Sequence, residues 1–137
     1  MSYELRAHTA DVGVAATGET LEATVGAIAD GLAGASCESI PDRGERFSLA
    51  VSAESLEALL FDYLDELIYL RDVRAELPVD NDVEITEGQA GEWHLEGSAR
   101  GIPLDAVVAR EIKAVTYSEM RLESTDDGWE GYVVFDV

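Results

Sequence analysis

His8-Thr9-Ala10-Asp11-Val12-Gly13 is the stretch on which the reading of this chain turns. Tyr3, Leu5 and Ala7 lead into it and Val14 and Ala16 lead out. Apolar residues at every second position suit two paired strands, 3–8 and 12–17, on either side of a polar knot. Gly13 and Gly18 punctuate the pattern. A carboxylate and an imidazole three residues apart, Asp11 and His8, at a strand-to-strand crossing can line a shallow site. An Asp ahead of a glycine is also ordinary turn chemistry, its side chain bonding its own backbone. On this stretch alone the turn is the preferred reading; the other end of the chain changes the balance.

Working outward, Gly18-Glu19-Thr20 opens a helix that Thr20 can cap, with Glu19 and Glu22 suited to its positive end. Leu21, Val25, Ile28 and Leu32 make its apolar face, and it ends around Gly34. Gly26 and Gly31 weaken it intrinsically, so it leans on packing or approaches a sheet closely. Pro41-Asp42-Arg43-Gly44 reads as a turn, and Phe47, Leu49 and Val51 as a half-buried strand. Ser52 is the expected cap of a second helix, with Glu54 in its first turn. Leu56, Leu59, Leu60, Tyr63, Leu64, Leu67, Ile68 and Leu70 make this the main core helix. Glu57, Asp62, Asp65 and Glu66 on its outer side read as a solvated acidic face.

Residues 73–80 are ambiguous between strand and loop, and Pro78 argues against a central strand. Val83 and Ile85 suggest a short strand, Gly88 and Gly91 a turn, and Trp93, Leu95, Gly97 and Ala99 one face of a further strand ending at Gly101-Ile102-Pro103. His94 falls on that strand's opposite face, as an exposed residue and not a ligand. Residues 107–111 fit helix or extended chain, and Ile112, Ala114 and Thr116 alternate with Lys113, Val115 and Tyr117. A terminal hairpin pairs about 119–124 with 129–136 across Asp126-Asp127-Gly128. Strands do not alternate regularly with helices, which disfavours a doubly wound parallel fold. The expected fold is α+β: one domain over 1–137, with a mostly antiparallel sheet and two main helices packed against it.

With 137 residues, 47% of them hydrophobic, the chain has the length and composition of one globular domain. No run of 18 apolar residues and no basic-then-apolar leader is present, so a cytoplasmic protein with no membrane partner is expected. Cys37 is the only cysteine, which excludes an internal disulfide and a cysteine-built metal site. Its small-residue surroundings mark a passive thiol. The charge is extreme: 29 acidic against 9 basic residues, net −20, spread along the whole chain. This suits a hydrated surface working at high salt, where a Debye length of about 3 Å at 1 M screens self-repulsion. It argues against direct nucleic-acid binding, which needs Lys and Arg to displace counterions.

No phosphate-cradling glycine loop, dinucleotide fingerprint, Gly-x-Ser-x-Gly elbow or zinc-spaced Cys/His set is present. A hydrolase or nucleotide-binding enzyme therefore has no visible machinery. What remains is oxygen-rich: Asp11, Asp136 and the α-carboxylate of Val137, ligands of the type that hard divalent cations take. Lys113 is the sole lysine beside eight arginines. A compact ammonium near carboxylates can contact a phosphate; the plainer reading is a charge that blunts a sheet edge.

The chain resembles the archease family along nearly its whole length. The resemblance rests on Tyr3-Glu4 leading to His8-Thr9-Ala10-Asp11-Val12-Gly13, on Thr20-Leu21-Glu22-Ala23, on Leu56-Glu57-Ala58-Leu59-Leu60-Phe61-Asp62-Tyr63-Leu64, and on Ile112-Lys113-Ala114-Val115-Thr116-Tyr117 with Asp136-Val137. It implies a non-enzymatic accessory protein of RNA ligation, the partner being the GTP-dependent tRNA-splicing ligase. That ligase joins a 3′-phosphate or cyclic phosphate to a 5′-hydroxyl; archease promotes guanylylation of the ligase histidine, so the ligase turns over repeatedly. The resemblance places a metal site on Asp11 and Asp136 with an adjacent oxygen from Val137. The ion would be a divalent cation, calcium, with magnesium and manganese as alternatives. Lys113 maps onto a lysine important in the family, and His8 is a neighbour within the motif. The alternative role is a chaperone-like modulator of a tRNA-modifying enzyme such as a tRNA methyltransferase. The chain departs at Ser118-Glu119-Met120-Arg121, where relatives often carry a second histidine, and the Arg71–Val79 loop looks short.

Overall fold

The apolar alternations and helical spacings resolve into seven strands and two long helices in a computed structural model that describes residues 2–7 and 11–137. In chain order these are β1 Ser2–Ala7, β2 Asp11–Gly18, α1 Leu21–Ser36, β3 Glu45–Ala53, α2 Leu56–Arg74, β4 Glu76–Glu87, β5 Trp93–Pro103, β6 Ala114–Thr125 and β7 Gly128–Asp136. Single 3-10 turns follow β4 and β5. All pairings are antiparallel. The strands fall into two sheets where one was expected: β1-β2-β7-β6 and β3-β5-β4. Each helix packs against strands of both sheets, α1 on β1, β2, β7 and β4, and α2 on β6, β3, β4 and β5. The α+β, antiparallel reading stands, with the helices as the filling between the sheets.

That position explains α1. Covered from both sides, it buries Thr24–Ala29 and Gly31–Ala33 nearly all round, not along one stripe. Gly31 is required by close approach: a Cβ there would run into Val14 Cγ1 of β2. Thr20 caps the helix as expected, its Oγ1 accepting from Ala23 N at 3.0 Å. The helix runs two residues past Gly34, to Ser36, and the Cys37 N–H closes it on Ala33 O.

The cap of α2 is Ser55, not Ser52: Ser55 Oγ accepts from Ala58 N at 3.1 Å. Ser52 still pairs with His94 across β3 and β5, and its hydroxyl meets His94 Nδ1 at 2.7 Å. Leu59, Leu60, Tyr63, Leu64 and Leu67 of α2 are buried with Val14, Val133 and Phe135 of one sheet and Leu95 of the other. Each such side chain, fully buried, contributes about 1.5–3 kcal/mol. The acidic face reads as expected, with Glu57, Asp62 and Asp65 exposed.

No loop separates α2 from β4. Ala75, in the left-handed region (φ 53°), turns the chain directly from Arg74 into Glu76. The ambiguous 73–80 segment is thus helix end and strand start. Pro78 is tolerated because β4 lies at a sheet edge. Residues 107–111 are neither helix nor strand. The expected alternation over 112–117 also breaks, since Ile112 and Val115 are both buried. In β6, Tyr117–Met120 bulge outward between the pairs Thr116↔Val134 and Arg121↔Tyr132. Tyr117 there stacks on Phe61 with ring centroids 4.1 Å apart.

Candidate functional site

The start of β2 and the end of β7 meet at one end of the four-stranded sheet. Asp11, the first residue of β2, stands directly opposite Asp136, the last residue of β7. Directly opposed residues project from the same face of a sheet, with Cβ atoms roughly 4.5–5.5 Å apart. The next pair inward, Val12 and Phe135, is buried in the core between the sheets. Alternation therefore puts both carboxylates on the face turned away from the helices. Asp11 is half-buried with its Oδ1 shielded from solvent, and Asp136 is exposed. The turn reading of Asp11 gives way here to a strand position. Next to it, Gly13 is close to the Tyr132 ring, and a Cβ there would strike the Tyr132 hydroxyl.

Lys113 joins this end as the residue just before the third strand, β6. Ala114 pairs with Asp136, and the Lys113 N–H donates to Asp136 O at 2.8 Å. The Lys113 side chain is exposed. The stretch that carries it is fastened to the C-terminal ends of both helices. Arg110 donates from its main-chain N to Ser36 O (2.8 Å) and from Nε to Ala35 O (2.9 Å). Arg71, in the last turn of α2, donates from Nη1 to Ile112 O at 2.8 Å. Helix C-termini carry partial negative charge. The Arg71 and Arg110 side chains answer that charge at the two helix ends.

Of the residues expected at the site, the structure brings together Asp11, Asp136 and Lys113, with Val137 next in the chain. His8 lies outside the described residues. Among the described residues no group of three or more His, Cys, Asp or Glu side chains gathers that could hold a metal ion. The donors here are therefore two carboxylates in register, plus whatever main-chain oxygen the neighbouring residues add; an all-oxygen set of this kind fits a hard divalent cation. Arg71 and Arg110 did not stand out in the sequence. A signal existed for Arg71: it continues the stripe Leu60, Leu64, Leu67 at helical spacing, a charge on an otherwise apolar face.

A second carboxylate is built differently. Asp30 of α1 accepts from Asn81 N (2.8 Å) and from Asn81 Nδ2 (3.0 Å) through one oxygen, and Asn81 Oδ1 accepts from the Tyr63 hydroxyl (2.8 Å). Burial pushes the Asp30 carboxyl above its ordinary value, and the two Asn81 bonds work against that rise. Burial, joined by the Asp30 charge, also holds the Tyr63 phenol well above the usual range. This network ties α1 and α2 to the β4 bulge at Val79–Asp82.

A small α+β domain with paired carboxylates and a lone lysine at one sheet end is the class of protein that fold and site define. The Archease protein family matches residues 3–137. The chain is 35% identical to the protein archease of Pyrococcus furiosus, covering 98% of each, and 36% identical to that of Methanosarcina mazei, covering 98% of this chain and 95% of the relative. In structure it is similar to a Methanobacterium thermoautotrophicum protein solved in solution (TM-score 0.82, 28% identity, 98% of each chain). A crystal structure from Thermotoga maritima, titled an archease and possible chaperone, shares the fold (TM-score 0.63, 22% identity, covering 98% and 96%). The chain belongs to the archease family.

Proposed function

We propose that this protein is an accessory factor of RNA ligation that activates a GTP-dependent tRNA-splicing ligase through its Asp11/Asp136 end. The observation that carries the reading is the register: Asp11 opposite Asp136 on adjacent strands, with the N–H of Lys113, the residue before β6, on Asp136 O. Asp11, Asp136 and an oxygen of Val137 would hold a divalent cation, calcium, and His8 adjoins them in sequence. When bound, the cation supplies a fixed positive charge at a surface that is otherwise acidic. Lys113 presents an exposed ammonium for a phosphate group at the partner's active site. In this reading the chain performs no chemistry of its own; it promotes guanylylation of the ligase histidine and so allows multiple turnover. The net charge of −20 favours a protein partner over RNA itself.

The direct experiment is ligation in high salt at limiting ligase, with wild type and Asp136→Ala. Wild type should convert a single turnover into many, and the variant should not. Equal stimulation by both would contradict the carboxylate end as the working surface. A chaperone-like role toward a tRNA methyltransferase is the second reading. A cleft of about 800 Å³ favours it; Leu5, Cys37, Val107 and the exposed Val108 line the opening. Suppression of methyltransferase aggregation by an Asp11/Asp136 double variant would support that role.

A further inference from the structure

One peptide group at the site is held from both sides. The carbonyl of the Ile112–Lys113 peptide accepts from Arg71 Nη1 at 2.8 Å, and the N–H of the same peptide donates to Asp136 O at 2.8 Å. Arg71 is buried, as few arginines are, with its side chain 9% exposed. Its guanidinium is fixed in turn: Nε and Nη2 both donate to Asp72 Oδ1, at 3.1 and 3.0 Å. Ile112 itself is fully buried in the core. A guanidinium is planar and always charged, so it aims its donors in fixed directions.

We infer that Arg71 is a positioning residue for the Lys113/Asp136 end. It is the clamp by which the last turn of α2 sets where Lys113 stands relative to the carboxylates. The inference deepens the cation-site reading and rests on it for its functional meaning. The geometry gives the clamp a specific logic. Strand pairing of β6 begins only at Ala114, and the residues before it, 107–113, have no regular structure to place them. Without Arg71, the Ile112–Lys113 peptide keeps the bond from its N–H to Asp136 O and loses the one that holds its carbonyl. With Arg71, the plane of that peptide is fixed, and so is the direction from which the Lys113 side chain leaves. Charge-assisted hydrogen bonds of this kind are roughly twice as strong as neutral ones.

The test exploits Lys113 being the only lysine: labelling with 15N-lysine yields a single backbone amide signal, that of Lys113. Arg71→Met keeps the aliphatic stem and removes every donor; Arg71→Lys restores a charge without the fork. The full-length protein is observed for amide exchange and then titrated with calcium. Arg71→Met should speed exchange at Lys113 at least tenfold and weaken the calcium response several-fold, and Arg71→Lys should recover part of both. Parallel 15N-tryptophan labelling reports the rest of the fold through Trp93 and Trp129, whose exchange should not change. Lys113 exchange unchanged in Arg71→Met overturns the clamp. Exchange accelerated equally at Lys113 and both tryptophans also overturns it, because Arg71 would then only support the fold. Asp136→Asn separates the two readings: it should abolish the calcium response yet leave Lys113 exchange as in wild type, because the acceptor is a main-chain oxygen. Calcium that fails to move the wild-type signal contradicts the cation site while the exchange rates still decide the clamp.

Discussion

Asp30 and the Asp11/Asp136 pair are carboxylates set in one small fold to opposite purposes. Asp30 is closed into a network: both of its hydrogen bonds come from a single residue, Asn81, which also satisfies Tyr63. Asp11 and Asp136 stand as two like charges in register at an open strand end, on the sheet face away from the helices, Asp11 half-buried and Asp136 exposed. Like charges directly opposed across strands are destabilising. The contrast separates a carboxylate built into the internal hydrogen-bond network from a pair at a strand end to which the proposed function assigns a cation.

The largest effect should come from breaking the closed network. Asn81→Leu strands the Tyr63 hydroxyl and removes one donor to Asp30, at about 1–3 kcal/mol for each stranded group. Urea unfolding should show a clearly lower midpoint. Next is the pH response of Asp30. Folding raises its pKa above 3.8, so the folded state holds the proton more tightly than the unfolded chain. The linked stability is fully present below about pH 3.8 and is lost as pH rises through the folded value. Asp30→Asn keeps an acceptor oxygen and has no proton to lose. Its stability relative to wild type should therefore climb across that window; a difference that stays flat with pH would break the contrast. The smallest effect belongs to the open end: without divalent cations, Asp136→Asn should shift stability by no more than about 0.5 kcal/mol, as expected for an exposed position.

Much of this was legible before the structure, for particular reasons. The strands around Asp11, the core face of α2 and the terminal hairpin are carried by periodicity and turn residues, which are local. The pairing of Asp11 with Asp136 joins positions 125 residues apart, and no local pattern encodes it; only the family resemblance pointed there. The division into two sheets was hidden for the same reason, since sheet membership is set by long-range partners. Ser52 was mistaken for the cap because Ser55, three residues on, carries the same chemistry, and the pairing of Ser52 with His94 decides between them. The turn at Ala75 was missed because a left-handed alanine has no sequence signature. Arg71 was passed over as a loop residue, although an arginine on an apolar helix stripe needs a partner, and Ile112 O with Asp72 supplies it.

The central claim is that the open carboxylate pair, and not the closed one, takes a divalent cation. Isothermal titration of calcium into wild type, Asp136→Asn and Asp30→Asn at high salt tests it most directly. Wild type and Asp30→Asn should bind with matching affinity, and Asp136→Asn should bind at least tenfold more weakly. No binding by wild type, or equal binding by Asp136→Asn, would contradict the account.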